Sequence, residues 1–298
     1  MKKVLIIALI LVVLGAILFA VGFAAKGFRI PSTFGDFHTE SVTAEASFSE
    51  IQIKGSYHLL QVVRSEDGTC RAEFDASDKI TTTVEVADGV LTVQQKDLRK
   101  WYEFLGWSGN RGDLTLFLPE KDYTKLTVDS GSGSVELKTP YAFGEVNIEV
   151  GSGKISAQGL TAESLKTYIG SGSGTLSGVT VNGAFTATLS SGSMNLTGVR
   201  AASLSTKISS GKLTMTETVV AQNAEMHISS GSVILDGFDA ATMDVHISSG
   251  SLRGTLLTAK NFDTHASSGS IEVPPSDSSA GLCKIQVSSG SAKLEIKE

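Results

Sequence analysis

The sequence predicts an all-β protein: a parallel β-solenoid (β-helix) of roughly 20-residue rungs, preceded by one N-terminal transmembrane helix. Three observations predict it. A six-residue phrase, apolar–x–Ser–Gly–x–apolar, recurs with leading residues Val128, Val150, Ile169, Leu189, Ile208, Ile228, Ile247, Ala266 and Val287. Its spacings are 22, 19, 20, 19, 20, 19, 19 and 21 residues. Before each phrase the residues alternate, as in Ala224-Glu225-Met226-His227-Ile228, which is the period of two expected of a strand. Val4 to Ala25 are 22 consecutive apolar or glycine residues without a charge, long enough for a helix to cross a ~30 Å hydrocarbon core.

Taken in chain order, residues 1–3 read as a short cytoplasmic tail carrying Lys2 and Lys3, and residues 4–25 as the anchor. A cleaved signal peptide is the rival reading, but its apolar region is usually only ~7–15 residues, and Ala20-Val21-Gly22 is a weak cleavage site. Residues 26–40 read as a linker. Residues 41–126 lack the glycine phrase yet alternate, in Phe48 to Ile53, Thr81 to Val86, Val90 to Val93 and Leu114 to Leu118. They are expected to form irregular first coils or a cap, because the open face of a terminal repeat would otherwise pair with other chains. Residues 127–298 are the regular Ser-Gly solenoid, with Pro274 to Gly281 an insertion loop between the last two rungs.

Each rung should hold two strands and two corners. The corner glycines are assigned as Gly133, Gly153, Gly174, Gly192, Gly211, Gly231, Gly250, Gly269 and Gly290, because a corner needs either positive φ or close approach of stacked backbone. A second glycine position recurs at Gly159, Gly178, Gly198 and Gly237. The flanking serines read as a structural ladder that bonds nearby backbone. Nine near-identical serines cannot all be nucleophiles, each with its own base.

The charge of −6 and the lack of a basic cluster exclude a nucleic-acid binder, which must neutralise phosphates. Cys70 and Cys283 are the only cysteines. In a stacked solenoid about ten rungs of ~4.8 Å would separate them, far beyond the ~7 Å that a disulfide spans. Cys283 falls in a column with Phe262, Met243 and Leu204, which reads as core.

The layout resembles a bacterial family of candidate adhesins, β-strand-repeat domains of unknown function. The resemblance rests on one anchor, then Phe48-Ser49-Glu50-Ile51-Gln52-Ile53-Lys54-Gly55, then Leu114-Thr115-Leu116-Phe117-Leu118-Pro119, then the Ser-Gly repeats. It implies a parallel β-helix on an envelope protein, with membrane-anchored relatives in cell-envelope stress systems. No functional residues are carried over from it.

Two clusters could carry chemistry. His227, His246 and His265 each precede a leading apolar residue at 19-residue intervals, with Glu225, Asp244 and Asp263 two residues earlier. They are expected on the outer face of three consecutive rungs, as a metal-binding or pH-responsive column or as residues merely copied with the repeat. Trp101, Tyr102, Phe104 and Trp107 lie between two strands and suit either a partner or membrane contact or a cap on the open core. Arg111-Gly112-Asp113 follows, with Asp113 expected to open a strand. No phosphate loop, zinc-type cysteine pairing or catalytic serine motif is present, and no cofactor is expected.

The expected function is therefore non-enzymatic: a single-pass cell-membrane protein presenting its solenoid on the extracytoplasmic side for binding or sensing, within a cell-envelope stress response. The membrane is contacted through residues 4–25, and envelope proteins, wall polymers or peptides are the partners; nucleic acid is not. An adhesin for glycans or host proteins is the alternative, and a carbohydrate-active β-helix enzyme the second alternative.

Overall fold

A computed structural model describes residues 36–99, 111–138 and 141–297. The only regular elements among these residues are strands, joined by turns and loops. The chain opens with β1 (His38–Ala44), β2 (Glu50–Gly55), β3 (Leu59–Arg64), β4 (Cys70–Ala76), β5 (Ile80–Ala87), β6 (Val90–Asp97) and β7 (Asp113–Leu118). Regular rungs follow: β8 (Tyr123–Ser130) with β9 (Ser134–Lys138), β10 (Ala142–Val150) with β11 (Lys154–Gln158), and β12 (Thr161–Ile169) with β13 (Ser173–Ser177). Next come β14 (Thr180–Leu189) with β15 (Ser193–Thr197), β16 (Arg200–Ile208) with β17 (Lys212–Thr216), and β18 (Val219–Ile228) with the first part of β19 (Ser232–Ile247). The second part of β19 shares a rung with β20 (Ser251–Leu256), β21 (Asn261–Ala266) with β22 (Ser270–Glu272), and β23 (Leu282–Val287) with β24 (Ser291–Ile296).

The strands make two sheets. Sheet B runs β5-β6-β2-β8-β10-β12-β14-β16-β18-β19-β23-β21, parallel except for β5 against β6. Sheet A runs β1-β4-β7-β3-β9-β11-β13-β15-β17-β19-β20-β24-β22, antiparallel only at β1–β4 and β4–β7. This is the parallel β-solenoid expected from the repeat. Alternate residues of both sheets point inward to one continuous core, in which Phe185, Leu204, Met226 and Phe238 are buried. Burying each such side chain contributes about 1.5–3 kcal/mol. Cys283 sits between Met243 and Phe262 in the register, so the expected core column holds, and both cysteines are buried and free.

The alternation of 19- and 20-residue spacings has a structural cause. In β14 and β18 the extra residue is absorbed inside sheet B, where the register shifts between Val181 and Ala184 and between Val220 and Asn223. A bulge there leaves the corners stacked.

The corners explain the glycines, with one correction. At the Ser-Gly corner a Cβ on Gly231 would overlap the carbonyl oxygen of Gly211, and the same relation links Gly211 to Gly192 and Gly250 to Gly231. Close backbone approach, not positive φ, is what excludes a side chain there. Gly174 does not belong to this column. It lies in β13 facing the core, where an added Cβ would come 2.7 Å from Ile169 Cδ1, and Gly172 occupies the corner. The tandem Gly170-Ser-Gly-Ser-Gly174 in this one repeat hides which glycine turns. At the other corner Gly159, Gly178, Gly198 and Gly237 have φ of 66°, 60°, 61° and 65°, and Glu217 stands in their place at 50°.

Both ends depart from chain order. The first rung, β2 with β3, lies inside the second, β6 with β7. The last rung, β23 with β24, lies inside the one before it, β21 with β22. Antiparallel β1, β4 and β5 close the N-terminal end, β5 and β6 being joined at Asp88-Gly89, where φ is 51° and 76°. Two consecutive positive φ values suit a tight hairpin turn, and Asp-Gly is a favoured pair for it.

The expected anchor span, residues 4–25, lies outside the described residues, as do Trp101, Tyr102, Phe104 and Trp107. No helix among the described residues is long and apolar enough to cross a membrane.

Candidate functional site

The histidine column is only partly assembled. Because β23 inserts between β19 and β21, the register runs Lys207, His227, His246, Gln286, His265, and beside it Ser205, Glu225, Asp244, Lys284, Asp263. This corrects the expectation of three consecutive histidine rungs: Gln286 and Lys284 separate His265 and Asp263 from the rest. The sequence hid the exchange because spacing along the chain carries no information about which rung docks where. The remaining pair is ordered. The rings of His227 and His246 stack with centroids 5.0 Å apart and planes 9° apart. His227 Nε2 lies 2.9 Å from Glu225 Oε1, and His246 Nε2 lies 3.1 Å from Asp244 Oδ1. Each imidazole faces the carboxylate of its own strand, and no group of three or more His, Cys, Asp or Glu residues among the described residues is arranged to hold a metal ion.

A shallow trough of about 730 Å³ follows the Ser-Gly corner, floored by the glycine column and walled by Ser191, Ser210, Ser230 and Ser249 on one side and Ser193, Ser232 and Ser251 on the other. Backbone bonds between neighbouring corners hold it, such as Ser230 N donating to Ser209 O at 2.7 Å. These bonds join backbone to backbone, so the ladder they form is one of main chain rather than of serine hydroxyls.

A second depression, about 450 Å³, opens on the outer face of sheet B where β2, β8, β10, β12 and β14 lie side by side. Tyr168 stands in it, 36% exposed, an outward aromatic in an otherwise polar face. Its hydroxyl lies 3.2 Å from Ser190 Oγ, a contact that tethers the tip of the ring. Around it are Asn147, Glu149, Lys166, Thr186 and Thr188, with Lys54 and Asp129 further along. Asn147 Nδ2 donates to Glu145 Oε1 at 2.7 Å, while Asn147 Oδ1 has no partner among the described residues. That amide bond, helped by Lys125 and Lys166, holds the Glu145 carboxyl below the ordinary carboxylate range. Alternation along β12 places Tyr168 outward, so the signal was in the sequence, but one aromatic in a single rung does not stand out against a repeat.

Asp113 opens β7 as expected. Its carboxylate accepts from Leu59 N at 3.1 Å and lies 3.0 Å from His58 Nδ1, so it is engaged inside the N-terminal rungs.

Two overlapping segments, residues 48–233 and 170–298, match the Toastrack DUF4097 family model. The chain belongs to the Toastrack family. Among solved structures, this Toastrack chain is similar to a candidate lipid-binding protein from Parabacteroides distasonis, at 18% identity and TM-score 0.58, over 88% of this chain and 97% of that one. A candidate adhesin from Bacteroides fragilis aligns over 87% and 97%, at 15% identity and TM-score 0.48. At such identities the likeness is one of fold. Neither is described as an enzyme. No curated protein matches the chain.

Proposed function

We propose that this Toastrack chain is a non-enzymatic, membrane-anchored envelope protein that binds an extended glycan across the outer face of sheet B. The observation that carries the reading is Tyr168, an exposed aromatic tethered at its hydroxyl in a polar depression. A ring held this way offers its face to the C–H face of a sugar, and the flanking amide, carboxylate and hydroxyl groups bond sugar hydroxyls, the usual division between stacking and orienting groups in a binding site. The uncharged stretch 4–25 supports the anchor. The reading places the solenoid on the extracytoplasmic side, where wall polymers would be within reach, and a role in envelope stress sensing would follow from occupancy of this groove.

The test is binding of the full-length protein in detergent to a glycan panel that includes wall fragments. Tyr168→Ala should weaken the bound glycan about tenfold or more, and Thr175→Ala, on the outer face of sheet A, should not. Equal binding by wild type and Tyr168→Ala would overturn the groove. Protease treatment of intact cells with a tag after Glu298 tests the sidedness: digestion before lysis is expected, and protection until lysis would sink the surface role.

A further inference from the structure

The two ends of the stack are finished differently, and the C-terminal end is left open. β21 is the last strand of sheet B and pairs only with β23. Asn261 N donates to Gly281 O and Ser267 N to Val287 O, so the odd-numbered residues of β21 turn their backbone groups toward β23. The even-numbered residues turn theirs away: Phe262 N donates instead to Ser276 Oγ of the insertion loop, at 2.8 Å. The N–H and C=O groups of Thr264 and Ala266 therefore face outward with no strand beyond them among the described residues. The core is open there as well. Thr264 and Ala266 point along the core face yet are exposed, and Phe262, Ile271 and Val273 are only half-buried.

We propose that this edge pairs antiparallel with the β21 edge of a second copy of the chain, about a two-fold axis at Thr264. β21 is complementary to itself in that register. Thr264 meets Thr264 of the second copy as a hydrogen-bonded pair, using the outward backbone groups, and the alternation of such pairs makes Phe262 and Ala266 the next, joined by one bond from Ala266 N to the Phe262 carbonyl while Phe262 N stays with Ser276. On the core side the large Phe262 lies against the small Ala266, which closes the exposed end of the core. On the outer side Asp263 lies opposite His265 of the second copy, twice over by symmetry, in the close non-hydrogen-bonded positions where opposite charge or an imidazole–carboxylate bond stabilises a sheet. Registers shifted by two residues in either direction lose the Asp263–His265 pairing, and a shift of one turns backbone donors toward no acceptor. Sheet A adds little edge, because β22 ends at Glu272 and Pro274 and Pro275 follow. An isologous contact of this kind closes at two copies rather than growing into a fibre.

Full-length protein in detergent micelles, carrying Thr264→Cys, tests the proposal. Cα atoms in a hydrogen-bonded antiparallel pair lie ~5.5 Å apart, within disulfide range, and the native cysteines are buried. Mild oxidation should give a dimer on a non-reducing gel, whereas Thr175→Cys, in the middle of sheet A, should stay monomeric. Adding Asp263→Lys to Thr264→Cys should lower the dimer yield roughly fivefold, and the double exchange Asp263→Lys with His265→Glu should restore it. Unchanged circular dichroism in each variant confirms that the fold survives. Equal cross-linking at Thr264 and Thr175, no dimer from Thr264→Cys, or a yield indifferent to Asp263→Lys would each overturn the proposal.

Discussion

Thr206 is fully buried in a strand otherwise lined by Leu204 and Ile208, and its hydroxyl finds no hydrogen-bond partner among the described residues. A buried polar group left unbonded costs about 1–3 kcal/mol, so Thr206→Val, which keeps the shape, should raise stability by ~1 kcal/mol in urea unfolding. Lys260 shows the opposite solution. It is 3% exposed, and its Nζ donates to Asp239 Oδ1, the Ala240 carbonyl and Thr258 Oγ1, all at 2.7 Å. All three ammonium protons are used, so the charge is held rather than stranded. Neither residue was legible in the sequence, since burial of a lysine depends on contacts 20 residues away. Titration belongs to this scale too. Ser65 and Thr69 hold the Asp67 carboxyl down at about 2, and Arg99 lowers Asp97. A depressed carboxylate stabilises the fold above its unfolded pKa, and that contribution is lost as pH falls through the folded value. The melting temperature should therefore be level from neutral pH to about 5 and drop below ~4. Burial pushes the Cys283 thiol the other way, to about 12. That contribution is complete below the ordinary thiol pKa of 9.0 and disappears as pH climbs toward the folded value, so a second decline is expected from about pH 9 upward.

At the scale of the rung, the two corners use glycine for different physical reasons, and mutation should separate them. Gly198 has φ of 61° and an open neighbourhood, so Gly198→Ala meets only the left-handed penalty of about 1–2 kcal/mol. Glu217, which already accepts the same conformation one rung away, indicates that this cost is tolerable. Gly231→Ala meets the Gly211 carbonyl, which is backbone and cannot rotate aside; the expected loss is about 3 kcal/mol or more. Thermal melts of the two variants check both figures, and equal losses would refute the distinction. Much of this element was readable in advance. Alternation gave the strands and their inward faces, and the phrase gave the corners, except where Gly170, Gly172 and Gly174 offered three glycines for one turn. Packing against Ile169 and Met194 decides that case, and no local pattern contains it.

For the whole molecule, the regular middle followed from periodicity and the ends did not. A repeat specifies how one rung meets the next identical rung. It is silent on whether a terminal rung docks inside or outside its neighbour, because Asn261–Ala266 and Leu282–Val287 carry equivalent inward residues. The depression around Tyr168 was similarly half-visible: its outward polar columns on β10, β12 and β14 could be listed, but Gln52 and Lys54 join its far end only because β2 docks between β6 and β8. The exchange at the C-terminal end makes a testable demand. A chain stopped after Gly281 loses β23 and β24, and with them every strand pairing of β21 and β22. Two rungs should melt, not one. Hydrogen exchange of the truncated protein should show residues 261–272 unprotected, and protection there would contradict the register.

The same exchange sets an order in time. As the chain emerges from the ribosome or a translocation channel, residues 261–272 appear before the segment they must rest on. They have to wait, loosely tethered, while β20 keeps an unsatisfied flank, until β23 and β24 arrive and slide into the gap. Residues 282–296 are thus the keystone of that end, and the strands before them cannot settle until they arrive.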